Sequence, residues 1–283
     1  MPVKKMLLFP GQGSQYAGMS EEIARSPSVR GCARDILGYD LAETVGKSGE
    51  AELSNTLLAQ PAVFAASLAA LEAFAGAISD YAVAGHSLGE YAALVACGVL
   101  DVENGFKAIK ARSEIMAKSS NGGMSAVMGL KAGVIESVCA GINGVWPVNY
   151  NSPLQTVIAG TAEALPKAEG ILREKGAKRI ARLNVSAAFH SELMEDASEE
   201  FRAFAETLVF NEPKTDFYSN VTGAKMTDFS DMPSYLAAHM RSPVRFADEL
   251  YAAKENGIDA FVEAGPGKTL TGLVRKTLGE AKG

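Results

Sequence analysis

Residues Tyr81 to Val99 read YAVAGHSLGEYAALVACGV. A short apolar run, Tyr81 to Ala84, meets Gly85-His86-Ser87-Leu88-Gly89, and from Leu88 to Val99 the chain is rich in helix formers, among them Ala92, Ala93 and Ala96. The central five residues fit the G-x-S-x-G nucleophile elbow, a sharp strand-to-helix turn that projects a serine hydroxyl while glycines relieve the crowding. The pentapeptide alone is weak evidence; the strand before it and the helix after it carry the assignment. In that context the N-terminal dipole of the helix faces Ser87. A serine that merely caps a helix is the competing reading.

Working outward, Lys4 to Phe9 reads as a strand, Pro61 to Ala77 as a helix opened by proline at its first turn, and Val102 to Lys118 as another helix. Short apolar strands that feed helices predict a parallel sheet. From Met124 the pattern changes: strand Ser125 to Leu130, helix Gly133 to Ile142, strand Val145 to Asn149, strand Thr156 to Ala159, helix Ala162 to Lys175, strand Arg179 to Val185. That β-α-β-β-α-β order is ferredoxin-like. Asn151-Ser152-Pro153 breaks the middle strands apart, and Gly176 stands where a helix C-cap glycine belongs. After His190 come a polar helix, Glu192 to Thr207, and strand-like Phe217 to Asn220 and Ala260 to Glu263. The expected fold is α/β: a large α/β-hydrolase-like domain with a parallel sheet, residues 1–123 and 191–283, interrupted by a ferredoxin-like insertion at 124–190. A cleft between the two is the natural ligand site.

Composition narrows the function. The chain has 283 residues, 47% of them hydrophobic, enough for a sizeable core. A net charge of -6 without a basic run argues against a nucleic-acid partner. The apolar stretch Pro61 to Ile78 is interrupted by Ser67, Glu72 and Gly76, so a buried helix is expected and not a membrane span. Met1 to Phe9 is too short for a signal-peptide core, which predicts a cytoplasmic protein. Cys32, Cys97 and Cys139 lack any paired spacing with histidine, so they read as small core residues and no metal site is implied.

A serine hydroxyl needs a neighbouring base, and histidine serves near neutral pH. Of three histidines, His86 adjoins the serine but leaves the elbow in another direction, and His239 falls at an expected helix end. His190 follows a strand and the small residues Ser186, Ala187 and Ala188, which makes it the candidate base, with a satisfied structural histidine as the other reading. The amide of Leu88 needs a second backbone donor beside it to hold an oxyanion. Gly11-Gln12-Gly13-Ser14-Gln15, directly after the first strand, can supply it, although a plain tight turn would look the same. The loop fails the dinucleotide fingerprint because Tyr16 occupies the third glycine position. Gly267-Lys268-Thr269 resembles the end of a P-loop, but Val262 stands at its first glycine, so Gly265 to Gly267 reads as a turn. Arg112 falls on a helix flank with Gly105, Ala108, Met116 and Ser119, where its guanidinium has room to meet a carboxylate bidentately. A solvated or structurally paired arginine is the alternative.

Taken together, Phe9 to Gln15, Gln60-Pro61-Ala62, Gly85 to Tyr91, Arg112, Asn149 to Pro153, Phe189-His190-Ser191 and Glu263 to Leu270 resemble the malonyl-CoA:acyl carrier protein transacylase family, in family order along nearly the whole chain. The resemblance implies Ser87 as nucleophile, His190 as base, the amides of Gln12 and Leu88 as oxyanion donors, and Arg112 as partner of the malonyl carboxylate. His86 and Phe189 are expected beside the substrate, and Leu88 with Phe189 is similar to the malonyl-selective pattern. The implied partners are malonyl-CoA and acyl carrier protein, with no cofactor, no metal, no nucleic acid and no membrane, and a monomer is expected. One position departs: Arg245, after Ser242-Pro243-Val244, stands where well-known bacterial members have glutamine, in the segment thought to orient the histidine. A serine esterase or thioesterase, a loading enzyme of a polyketide assembly line, and a non-catalytic docking subunit are the rival readings.

Overall fold

The computed structural model describes residues 4–75, 81–120, 122–185 and 187–279. Three parallel strands form its first sheet: β1 (Lys4–Phe9), β2 (Tyr81–Gly85) and, far along the chain, a strand at Ile258–Glu263, in the order β2, β1, Ile258–Glu263. Phe9 pairs with Gly85 and Leu8 with Glu263, so all three strands end at one edge and their following loops gather there. Leu7 and Phe9 face one apolar cluster while Met6 and Leu8 face another. A strand apolar on both faces is what a parallel sheet covered by helices on both sides demands. Helices Thr56–Leu71, Gly89–Ala96 and Val102–Ala117 contribute to the first cluster, Phe246–Glu255 and Thr269–Leu278 to the second.

The second sheet comprises β3 (Gly123–Met128), β4 (Val145–Ser152), β5 (Gln155–Gly160) and β6 (Arg179–Arg182), all antiparallel, in the order β4-β5-β3-β6. Alternation along these strands divides their side chains. Val127 and Ile158 pack with Ile135 and Leu165 of helices Ala132–Ala140 and Ala164–Glu174, whereas Met124, Ala126, Val157 and Ala159 join the main core. β4 is also stitched to the segment before helix Phe246–Glu255: Tyr150 N–H donates to Val244 O at 2.8 Å and Val244 N–H to Val148 O at 2.8 Å.

Several expectations are corrected. The long apolar helix starts at Thr56 and not at Pro61, because the Asn55 side chain accepts from Leu57 N–H at 2.9 Å and caps it there. Pro61 therefore lies inside the helix; the expected end at Ala77 falls outside the described residues. Thr56–Phe74 is long and apolar enough to cross a membrane by length and composition. Here its residues 59–68 are buried within the fold, where Phe64 meets Phe106 edge-on at 4.9 Å. The elbow helix stops at Ala96 and not Val99, since Gly98 turns the chain at a φ of 84°. Four short helices, Met19–Ala24, Pro27–Leu37, Leu41–Lys47 and Glu50–Leu53, fill a stretch left unassigned by the sequence. Gly265 to Gly267 do form a turn, and the Glu263 carboxylate accepts from Leu270 N–H at 3.0 Å and Thr271 N–H at 2.8 Å, taking the anion position of the next helix itself. Cys97 and Cys139 are buried and Cys32 is half-buried.

Candidate active site

The turn after β2 is folded so tightly that side chains are excluded from it. A Cβ on Gly85 would lie 2.1 Å from the Gly89 carbonyl carbon, and one on Gly89 would lie 1.9 Å from Phe9 O. His86 N–H donates to Phe9 O at 2.9 Å, tying the elbow to β1. Ser87 is left with a φ of 51°, a left-handed backbone that costs an L-residue roughly 1–2 kcal/mol and places its hydroxyl at the start of helix Gly89–Ala96.

Among the described residues only one other non-glycine has a positive φ: His190, at 63°. The two meet, with Ser87 Oγ 2.7 Å from His190 Nε2. On the far side of the ring, Nδ1 lies 3.1 Å from both His239 O and Ser242 O. Carbonyls only accept, so Nδ1 carries the hydrogen and Nε2 presents its lone pair to the serine hydroxyl. Burial, then the charge of Arg112 and the neighbouring His86, push His190 down to about 3, so the ring stays neutral across the physiological range.

Arg112 comes from helix Val102–Ala117, whose Glu103 and Lys107 pair on the outward flank at 2.6 Å. Its guanidinium is 1% exposed, lies 5.4 Å from the centre of the Tyr91 ring, and donates from Nη2 to Ser87 Oγ at 3.3 Å. Among the described residues no carboxylate stands within ion-pair distance of it, and its Nε has no partner. A buried charge is normally paired, and the neighbours this one has are the Tyr91 ring and the Ser87 hydroxyl.

The loop after β1 lies against the elbow. A Cβ on Gly11 would come within 2.4 Å of His86 O, so only glycine permits the approach. Ser14 N–H donates to Gly11 O at 3.3 Å and Gly13 N–H to Gln15 Oε1 at 2.7 Å, closing the turn that holds Gln12. The Gln12 side chain donates to Thr56 Oγ1 at 3.2 Å and accepts from Gln60 Nε2 at 3.4 Å, which fastens the loop to helix Thr56–Leu71. Leu88 caps helix Gly89–Ala96, where N–H groups lack intrahelical acceptors. His86 Nε2 is 2.7 Å from Asn151 Oδ1 of β4, and burial lowers the imidazole's affinity for a proton.

Gln12, His86, Ser87, Arg112, Phe189 and His190 all border one cleft of about 710 Å³. Met124 of β3 and Asn149 of β4 border it too, with residues 183–185, so the second sheet and the loops that follow β1 and β2 wall the space. Sequence reasoning missed Asn220, whose Oδ1 accepts from Ser87 N–H at 2.7 Å. A polar pair, Ser219-Asn220, at the end of an apolar strand was the available signal, because α/β sheets place working residues at strand ends. It also missed the Glu90 and Glu249 carboxyls beneath the elbow. Burial raises both, Glu90 to about 8, while hydrogen bonds from Tyr235 and Asn220 pull Glu90 back.

Arg245 does not touch His190. Its guanidinium pairs with Asp248 at 2.7 Å and lies 5.8 Å from the Tyr150 ring, half exposed, while backbone carbonyls hold the imidazole. Arg245→Gln is therefore expected to keep most of the transfer rate. A loss beyond ~100-fold, about 2.7 kcal/mol of transition-state stabilisation, would assign the side chain a part in catalysis.

The sequence profile of the acyl transferase domain matches residues 6–283. The chain is 37% identical over 286 residues to a malonyl CoA-acyl carrier protein transacylase of Bacillus subtilis, covering 96% of this chain and 90% of that one. It is 38% identical to the polyketide biosynthesis protein ThaF of Burkholderia thailandensis, covering 98% of this chain but 24% of that much longer protein. Among solved structures, a malonyl-transacylase in complex with its type II PKS acyl-carrier protein superposes with a TM-score of 0.90 at 34% identity, over 96% of this chain and 92% of that one.

Proposed function

The chain belongs to the acyl transferase domain family, and from that premise we propose that it moves the malonyl group of malonyl-CoA to the thiol of an acyl carrier protein through an ester on Ser87. The observation that carries the malonyl assignment is the buried Arg112, which donates to Ser87 Oγ and has no carboxylate paired with it among the described residues. In the first half-reaction the Ser87 hydroxyl gives its proton to His190 Nε2 as Oγ attacks the thioester carbonyl. The amides of Leu88 and Gln12 receive the developing oxyanion, and Arg112 takes the malonyl carboxylate bidentately. Collapse expels the coenzyme A sulfur, which takes the proton from His190. The carrier's thiol then runs the same steps in reverse, and the walled cleft keeps water from the ester in between. His86 and Phe189 are assigned to the acyl pocket, His86 held by Asn151 and Phe189 bordering the cleft next to the base. Malonyl-CoA is the acyl donor here, and free coenzyme A leaves as a product.

We also assign residues 124–190 as a ferredoxin-like insertion in an α/β-hydrolase-like domain of residues 1–123 and 191–283. In chain order within the insertion its strands lie 2-3-1-4, with both helices on one face, which supports the assignment.

Mixing the protein with malonyl-CoA and weighing it intact tests the reading: a malonyl adduct that disappears when holo carrier is added is expected, and an adduct lost to water at the same rate without carrier would point to a hydrolase. The pH dependence of the first step follows from His190. Only the neutral ring accepts the proton, and its affinity for protons is lowered, so the active form persists as pH falls through the ordinary histidine value of 6.5 and is lost only towards about 3. The kcat/KM for acylation, which reports the free enzyme, should stay flat from about pH 8 to about pH 5. A titration centred near 6.5 would contradict the buried, carbonyl-held base.

A further inference from the structure

We propose that Asn220 is a positioning residue for acyl transfer, its carboxamide bridging Gly85 and Ser87 across the elbow and holding the Ser87 hydroxyl in line with His190. The inference rests on the acyl-transfer reading, in which Ser87 is the nucleophile. Asn220 is fully buried, and its side chain is fully used: Oδ1 accepts from Ser87 N–H at 2.7 Å, while Nδ2 donates to Gly85 O at 2.6 Å and to Glu249 Oε1 at 2.7 Å. The elbow forces Ser87 into a left-handed backbone, and the two peptide groups that flank His86 are thereby turned away from ordinary ladder partners. Left unpaired in the interior they would drive the turn to relax. Asparagine is the side chain of this size that offers an acceptor and two donors in one plane, the set these groups require.

The residue is itself clamped from three helices. Its N–H donates to Glu90 Oε2 at 2.7 Å, and Glu90 rides on the helix that the elbow starts. Its carbonyl accepts from Arg245 N–H at 3.0 Å at the head of helix Phe246–Glu255, which carries Glu249. Tyr235 donates to Glu90 Oε1 at 2.5 Å from helix Met232–Arg241, and the same helix supplies His239 O to His190 Nδ1. His239 of this helix also brings its Nε2 to 3.4 Å from Asn220 Oδ1, so one carboxamide couples the backbone of the nucleophile to the helix that orients the base. An aspartate at 220 would keep the shape but replace the amide hydrogens that reach Gly85 O and Glu249 Oε1 with a carboxyl oxygen, and would add a third acid beside the buried Glu249 and Glu90.

The test is the single-turnover rate of malonyl-ester formation from malonyl-CoA, per folded protein molecule and as a function of malonyl-CoA concentration, for the unsubstituted chain, Asn220→Ala and Asn220→Asp. Displacing the hydroxyl by a fraction of an ångström to an ångström is worth up to ~100-fold in rate. Both variants should therefore acylate about 100-fold more slowly at saturation, with half-saturation changed by less than about 3-fold, because Arg112 stands on a different helix. A merely structural role would lower the melting temperature and the folded fraction while leaving the rate per folded molecule unchanged. If Asn220→Ala does not fold, the isosteric Asn220→Asp decides alone. Acylation of Asn220→Asp within about 3-fold of the unsubstituted chain, or a loss confined to half-saturation, overturns the inference. Failure of the unsubstituted chain to form the ester would overturn the acyl-transfer reading and this inference with it, a separate and recognisable outcome.

Discussion

Ser87→Ala is expected to abolish acyl-enzyme formation and to lower malonyl transfer by about 10⁴-fold or more, some 5 kcal/mol of transition-state stabilisation. Among the described residues no other hydroxyl shares a hydrogen with a buried neutral imidazole at the head of a helix. The substitution removes one oxygen and leaves the elbow's glycines, its contact with β1 and the Asn220 clamp intact. It does cost His190 Nε2 its partner and Arg112 its hydrogen bond, both buried, so a drop of about 1–3 kcal/mol in stability is expected as well. The melting temperature separates that loss from the catalytic one. A malonyl adduct of normal stability on the folded variant would show that the nucleophile lies elsewhere.

Arg112→Ala is expected to change which acyl group is moved more than whether one is moved. A malonyl carboxylate entering the cleft gives up water, and the guanidinium replaces those contacts with two parallel hydrogen bonds. An acetyl group has no charge to satisfy and leaves the buried cation unpaired. Hydrogen bonds to charged groups are worth roughly 1.5 to 3 kcal/mol, so malonyl preference over acetyl should shrink by at least about tenfold. Acetyl transfer should fall little or rise. Arg112→Lys should recover part of the preference, keeping the charge but losing the fork and the stacking on Tyr91. Parallel losses for both acyl groups in a folded variant would make Arg112 a structural residue and remove the main physical support for malonyl.

What the sequence made legible was local. Ser87 could be read because the change from strand to helix occurs within five residues and needs glycine on both sides of it. Arg112 could be read because its flank is built of small side chains, and His190 because few histidines compete. What stayed hidden was long-range or carried by the main chain. Asn220 is 133 residues from the N–H it binds, and nothing near Asn220 in the sequence points to the elbow. The groups that orient His190 are the carbonyls of His239 and Ser242, which no side-chain pattern announces, although the segment containing Ser242 was marked by the resemblance. The helices between Met19 and Leu53 had readable starts, Ser26 before Pro27 and Asp40 before Leu41, each accepting from a backbone N–H three residues on. They escaped notice because they are short and only part of each is apolar. Arg112 also shows the limit of the reading: its flank was correctly placed, but its direct bond to Ser87 Oγ depends on how two helices cross.

The pairing of β4 with Val244 bears on how a long substrate gets in. Val244 is two residues beyond the carbonyl that holds the His190 ring, and its own N–H and C=O are both spent on the strand that walls the cleft. Swinging that wall outward would drag the base out of line. Admission by a hinge is therefore at odds with keeping the reacting pair assembled, and the pantetheine arm of either substrate is better accommodated by sliding in end-on, with the malonyl thioester of the donor or the free thiol of the carrier leading. The wall of the cleft and the brace that aims the proton acceptor are then one hydrogen-bonded unit, which ties the catalytic alignment to the shape of the cleft.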